Sequence, residues 1–171
     1  MPPTILATTL DDLIAIEAIK DLKARYCRFV DTKQWERLAT LFTPETRLYG
    51  FGSVGDGGTP TEFVAGLAKR LGKVISIHHV TSPEIALTGR DTARGIWPMM
   101  DYLEFPDGEG PHEAPGSRGF VGWGHYEEEY RRTDDGWKFT FMRLTRLRID
   151  SLGADHPRPR PGRFAHTPDW I

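Results

Sequence analysis

The chain has 171 residues, 24 acidic and 22 basic side chains, a formal charge of −2 and 39% hydrophobic content. Those values suit one ordinary domain with a core of its own, and they speak against wholesale disorder, a bulk nucleic-acid binder and a polybasic membrane anchor. A single cysteine, Cys27, leaves no internal disulfide and fits a reducing, cytoplasmic setting. No apolar run approaches the roughly 20 residues of a membrane helix, and the N-terminus lacks a secretory pattern. Metal-ligand spacings and glycine-rich nucleotide loops are absent from the sequence, which leaves small-molecule binders and cofactor-free enzymes.

Thr9 followed by Asp12 is a helix start, and Leu13, Ile16, Ile19, Leu22, Tyr26, Phe29 and Val30 then recur at helical spacing, predicting a helix over 10–30. A second helix is expected over 34–42, with Trp35, Leu38, Leu41 and Phe42 on one face and Pro44 as its breaker. A short strand is expected over 47–51 and a glycine-rich loop over 52–58. Thr59, Pro60 and Glu62 open a third helix, which Gly72 ends. The pattern then turns extended: strands over 73–81, 84–87 and 92–105, with Pro98 marking a bulge or an edge. Residues 106–119 read as a flexible loop. The segments 120–132 and 137–149 give a hairpin across Thr133-Asp134-Asp135-Gly136. Residues 1–150 are read as one domain and 151–171 as a Pro/Arg-rich tail. Three helices followed by long antiparallel strands predict an α+β fold. A glycine-containing, bulged sheet with helices across its concave side predicts a strongly curved cone around a hydrophobic pocket.

The segments Asp21 to Asp31, Trp35 to Phe42 and Ser76-Ile77-His78-His79-Val80-Thr81, with the Trp137 strand and the Tyr-Glu-Glu-Glu-Tyr-Arg-Arg strand before it, resemble the SnoaL-like branch of the NTF2-like superfamily. The likeness spans roughly residues 10–149 and is strongest toward the eliminating members, scytalone dehydratase, bile-acid 7α-dehydratase and hexachlorocyclohexane dehydrochlorinase. It implies a cone of three helices on a mixed sheet. It also implies a proton-abstracting His held by an Asp at the end of the first helix, without metal or cofactor. By position in the motifs, Asp31 matches that Asp and His78 that His. Ser82 stands where relatives often carry Asn. Tyr26 matches a pocket tyrosine, and Arg143, or else Arg146, a late-strand arginine. His125 loosely matches a second substrate-facing histidine. Relatives assemble through their sheets, which implies a homo-oligomer, a trimer or a dimer.

The residue types suit that chemistry. A neutral imidazole is a good base near pH 7, and a carboxylate on one ring nitrogen fixes its tautomer and balances the imidazolium formed. Adjacent strand residues point to opposite faces, so only one of His78 and His79 can serve, the other being left to substrate contact or to the surface. A phenol at Tyr26 would polarise a carbonyl or assist a departing hydroxyl. Alternation in Phe139-x-Phe141-x-Arg143 puts Arg143 on a face with two aromatics, and an arginine there needs an acceptor. Trp35 belongs to the core or to the cavity wall. The bland alternatives are Asp31 as a helix cap and His125 as a cross-strand polar neighbour. The combined expectation is a lyase, a dehydratase acting on a hydrophobic polycyclic, polyketide-like or steroid-like molecule. The alternatives are an isomerase or cyclase using the same proton abstraction, or a non-catalytic small-molecule binder.

Overall fold

The computed structural model describes residues 9–157; most of the expected tail lies outside them. Helix α1 spans Leu10–Asp31 and opens with a capping box: Asp12 N–H donates to Thr9 Oγ1 at 3.1 Å, and Thr9 N–H to Asp12 Oδ2 at 3.0 Å. Its buried face carries Ile19, Leu22, Tyr26, Phe29 and Val30, with Lys23 among them. Helix α2 is only Trp35–Ala39, because strand β1 (Phe42–Tyr49) has already begun at Phe42. Pro44 therefore lies inside a strand and does not merely end a helix. β1 pairs with one strand, β6, its other side carrying only a bridge from Leu48 to Gly58, and its register slips between Phe42 and Arg47, where a missing N–H is tolerated. Helix α3 (Pro60–Leu71) repeats the capping box with Thr59 and Glu62 and buries Phe63, Leu67 and Leu71.

The remaining strands are β2 (Ile75–Val80), β3 (Glu84–Leu87), β4 (Thr92–Glu104), β5 (Gly119–Thr133) and β6 (Gly136–Leu152). The sheet order is β1-β6-β5-β4-β2, with β3 also pairing β4. All pairings are antiparallel except β1 with β6. Along β4, residues 93–96 pair with β3 and 99–104 with β2. Pro98 stands at that change of neighbour, where its carbonyl accepts Thr81 N–H at 3.2 Å. The connection 105–118 is pinned midway. Ala114 is buried, Glu113 pairs with Arg70 of α3 at 2.5 Å, and Arg70 also donates to Gly52 O at 3.1 Å.

The strongly curved cone is not what forms. The sheet is mixed and open: its terminal strands β1 and β2 do not pair with each other, being separated by β6, β5 and β4. The bulges near Trp123/Gly124 and Glu129/Tyr130 bend β5 and β6 locally without bringing the edges together. The helix-covered face is occupied by a buried aromatic cluster. Tyr26 lies edge-on to Tyr126 and Phe139 at 5.9 and 5.8 Å between centroids, and Phe42 edge-on to Phe63 at 5.9 Å.

Candidate active site

The site is assembled where α1 ends against the free edge of β2. Asp31 is the last residue of α1, and its carboxylate takes both donors of one residue. His78 N–H reaches Oδ2 at 2.7 Å, and His78 Nδ1–H reaches Oδ1 at 2.6 Å. The carboxylate thus does for the edge strand what a further strand would do, and it orients the imidazole in the same contact. His78 is 8% exposed and Asp31 21%. With Nδ1 committed to Asp31, the nitrogen left to take a proton is Nε2.

Strand alternation separates the two histidines. Ser76 and His78 face the helices, whereas Ile75, Ile77 and the exposed His79 face away. Directly across from His78 on β4 is Asp101, whose neighbour on β5 is Gly122. The buried carboxylate of Asp101 accepts two hydrogen bonds from Arg146, Nη1 at 2.6 Å and Nη2 at 2.7 Å. Burial alone would lower the pKa of this guanidinium, but the bonds and charge of Asp101 prevail and hold it above its usual value. Gly122 makes the reach feasible, since a Cβ there would lie 2.3 Å from Arg146 Nη1 and 2.5 Å from Asp101 Oδ1. His78 and Asp101, one member each of a carboxylate–imidazole and a carboxylate–guanidinium pair, therefore stand opposite each other on adjacent strands of one face.

Tyr26 is buried within the aromatic cluster, with its hydroxyl against that of Tyr126. Burial pushes both phenols well above the usual tyrosine range, so each is a neutral hydrogen-bonding group. Behind them lies a second ionic pair. Lys23 Nζ meets Glu128 Oε1 at 2.5 Å with neither side chain exposed, and it lies 3.3 Å from the Tyr126 ring centroid. Glu128 also accepts from Tyr130, whose hydroxyl takes the Trp97 indole N–H at 2.8 Å.

Other expected site residues lie elsewhere. Arg143 is exposed on the outer face and pairs with Glu127; the bulge in β6 separates its face from that of buried Phe139, leaving only Phe141 beside it. His125 is on the outer face with Trp123 and Glu127. Trp35 is half-buried, packed against the core. The outer-face positions of Arg143, His125 and His79 set them apart from His78. Asp101, Tyr126 and the Lys23–Glu128 pair went unread in the sequence. Their signal was parity, since Asp101 falls in Trp97-x-Met99-x-Asp101-x-Leu103 and Glu128 in Tyr126-x-Glu128-x-Tyr130. Among the described residues no cluster of three His, Cys, Asp or Glu side chains is placed to hold a metal, and no helix is long and apolar enough to cross a membrane.

The profile of the SnoaL-like domain matches residues 11–143, and the chain belongs to that family. Its fold is that of the NTF2-like superfamily. A curated relative, the probable cyclase FGR4 of Gibberella zeae, is 27% identical over 143 residues, covering 78% of this chain and 91% of the relative. Among solved structures, a type 2 hexachlorocyclohexane dehydrochlorinase superposes with a TM-score of 0.68 at 24% identity, over 90% of this chain and 98% of the other. The type 3 enzyme from Novosphingobium barchaimii LL02 gives 0.67 at 22% identity, over 88% and 99%. The half-buried Asp31–His78 contact and the family together support cofactor-independent proton abstraction in general terms.

Proposed function

We propose that this protein is a cofactor-independent lyase that removes water from a hydrophobic, polycyclic, polyketide- or steroid-like molecule, a reading in line with the eliminating SnoaL-like enzymes it resembles. The observation that carries the reading is the double contact of Asp31 with His78, which leaves Nε2 as a positioned base. His78 Nε2 takes a proton from a carbon next to a carbonyl. The freed electron pair becomes the new C=C bond as the neighbouring C–O bond breaks. The departing hydroxide takes up the proton from the imidazolium and leaves as water, restoring the neutral base. Asp31 holds the tautomer and balances the transient charge. Arg146, aimed by Asp101, offers its remaining N–H groups to the developing enolate oxygen, and Tyr26 supports the same oxygen as a neutral donor. The aromatic cluster supplies the apolar wall.

A cyclase or isomerase reading uses the same first step and is favoured by the name of the Gibberella zeae relative. One experiment separates them. A panel of β-hydroxyketones of one to four fused rings is incubated with enzyme in heavy water and read by mass spectrometry. Loss of one water from any member supports the lyase; deuterium uptake at unchanged composition supports the isomerase or cyclase. No change in either, by wild type or by wild type relative to Asp31→Asn, sinks catalysis and leaves a binder. A homo-oligomer joined through the outer sheet face, which exposes Ile75, Ile77, Ile96 and Trp123, completes the proposal and is tested by light scattering after gel filtration.

A further inference from the structure

Two residues past Asp31, the chain turns through Lys33 with φ +62°, a left-handed conformation unusual for a side chain of this size. The turn is fixed by Lys33 N–H to Val30 O at 3.2 Å and Gln34 N–H to Phe29 O at 2.8 Å. It sends the lysine back along β2, where Nζ donates to Ser76 Oγ at 2.7 Å. Ser76 is buried and is the inward-facing residue immediately before His78. The end of α1 and the turn after it therefore grip the free edge of β2 at two consecutive inward positions: Asp31 on His78 and Lys33 on Ser76. An amine is not needed to fill this space, and burying much of a lysine costs hydration.

We propose that Lys33 is a third, positioning member of the site, whose ammonium clamps the strand that carries His78. The groups facing it are the Asp31 carboxylate from α1, the Ser76 hydroxyl from β2 and the Trp35 ring of α2, 5.9 Å from Nζ. Burial lowers the Lys33 pKa to about 8, against the pull of Asp31, which raises it. The clamp is a charge-assisted hydrogen bond below that pH and an ordinary one above it, roughly half as strong. The charge-assisted bond does not repay the hydration the ammonium loses, as the lowered pKa records, so His78 is held more firmly once the amine is neutral.

The inference matters for turnover only if the Asp31–His78 reading holds, so it is tested without substrate. The lysine amines are followed by carbon NMR of the Cε positions, and the His78 amide by hydrogen exchange corrected for the intrinsic pH dependence. One amine titrates near pH 8 and vanishes in Lys33→Arg. In Asp31→Asn it titrates lower still, because the charge that raised it is gone. His78 amide protection falls about tenfold in Lys33→Met, the effect of losing one charge-assisted bond, and stays in Lys33→Arg. It strengthens above pH 8 in wild type but not in Lys33→Arg, because opening the clamp returns the amine to water and to its ordinary pKa. Ser76→Ala, which leaves the lysine untouched, reproduces the loss. An amine that titrates with ordinary lysines, or protection unchanged in both Lys33→Met and Ser76→Ala, overturns the proposal. Failure of the elimination assay with these results intact would remove the lyase and leave the clamp.

Discussion

Behind the aromatic cluster, Lys23 and Glu128 meet with neither side chain exposed, while at the β2 edge Asp31 and His78 meet and both keep some contact with solvent. The deep pair is saturated: Glu128 has Lys23 and Tyr130 on its two oxygens, and the Lys23 ammonium lies over the rings of Tyr126 and Tyr26. Nothing further can bind there without breaking what exists. The edge pair has spent one ring nitrogen and both carboxylate oxygens, and keeps one nitrogen in reserve. Buried charge in this fold thus serves two ends, and the difference lies in whether a lone pair remains. The sealed pair fixes the packing of α1 on β5; the open one can exchange a proton.

Breaking the sealed pair gives the largest change in stability. Lys23→Met leaves Glu128 buried without its cation and is expected to cost about 3–5 kcal/mol by urea unfolding. Adding Glu128→Gln removes the orphaned charge and should recover at least half of that loss. Breaking the open pair acts on chemistry instead. Asp31→Asn is expected to change the unfolding midpoint little, yet to reduce turnover roughly 10²- to 10⁴-fold in the assay above, the range for a lost general base. Equal losses of stability in the two single variants would erase the distinction. Between them stands Gly122→Ala, whose methyl group would press on both Arg146 and Asp101; about 1–3 kcal/mol of destabilisation is expected by thermal melting.

The smaller effects sharpen the comparison through pH and exposure. Lys33 releases its proton near pH 8 in the folded chain and near 10.5 as an ordinary lysine. Between those values the unfolded chain holds more protons, so this group makes stability rise with pH; below pH 8 both states are charged and the dependence vanishes. Urea midpoints from pH 8 to 10 should show that contribution in wild type and lose it in Lys33→Arg. Arg143→Ala, which breaks a pair on the outer face, should cost under about 1 kcal/mol by the same measurement.

Much of this was written in local pattern. Both capping boxes mark α1 and α3 to the residue, and the Gly136 turn marks the hairpin. Pro44 misled because a proline on an edge strand looks in sequence like a helix terminator. The choice between His78 and His79 was illegible for a physical reason: β2 inverts the usual rule. Its isoleucines, Ile75 and Ile77, are 41% and 43% exposed, while Ser76 and His78 turn inward to meet Lys33 and Asp31. Hydrophobic alternation therefore points the wrong way there. Arg143 and Arg146 were indistinct because the bulges of β6, at Thr140 and Leu147, shift parity between Phe139 and the end of the strand. The openness of the sheet was likewise unreadable, since it depends on which edges pair rather than on any one strand.

The connection between β4 and β5 is, mechanically, two short spans and not one long one. Because Ala114 is buried and Glu113 is tied to Arg70, chain added on either side of that anchor enlarges only its own span. Closure entropy grows with the logarithm of span length, so lengthening such a span is inexpensive. Residues 107–110, which contain Gly108 and Gly110, are accordingly the place where this protein can accept an inserted peptide or a reporter without disturbing the strands that carry Asp101 and Gly122.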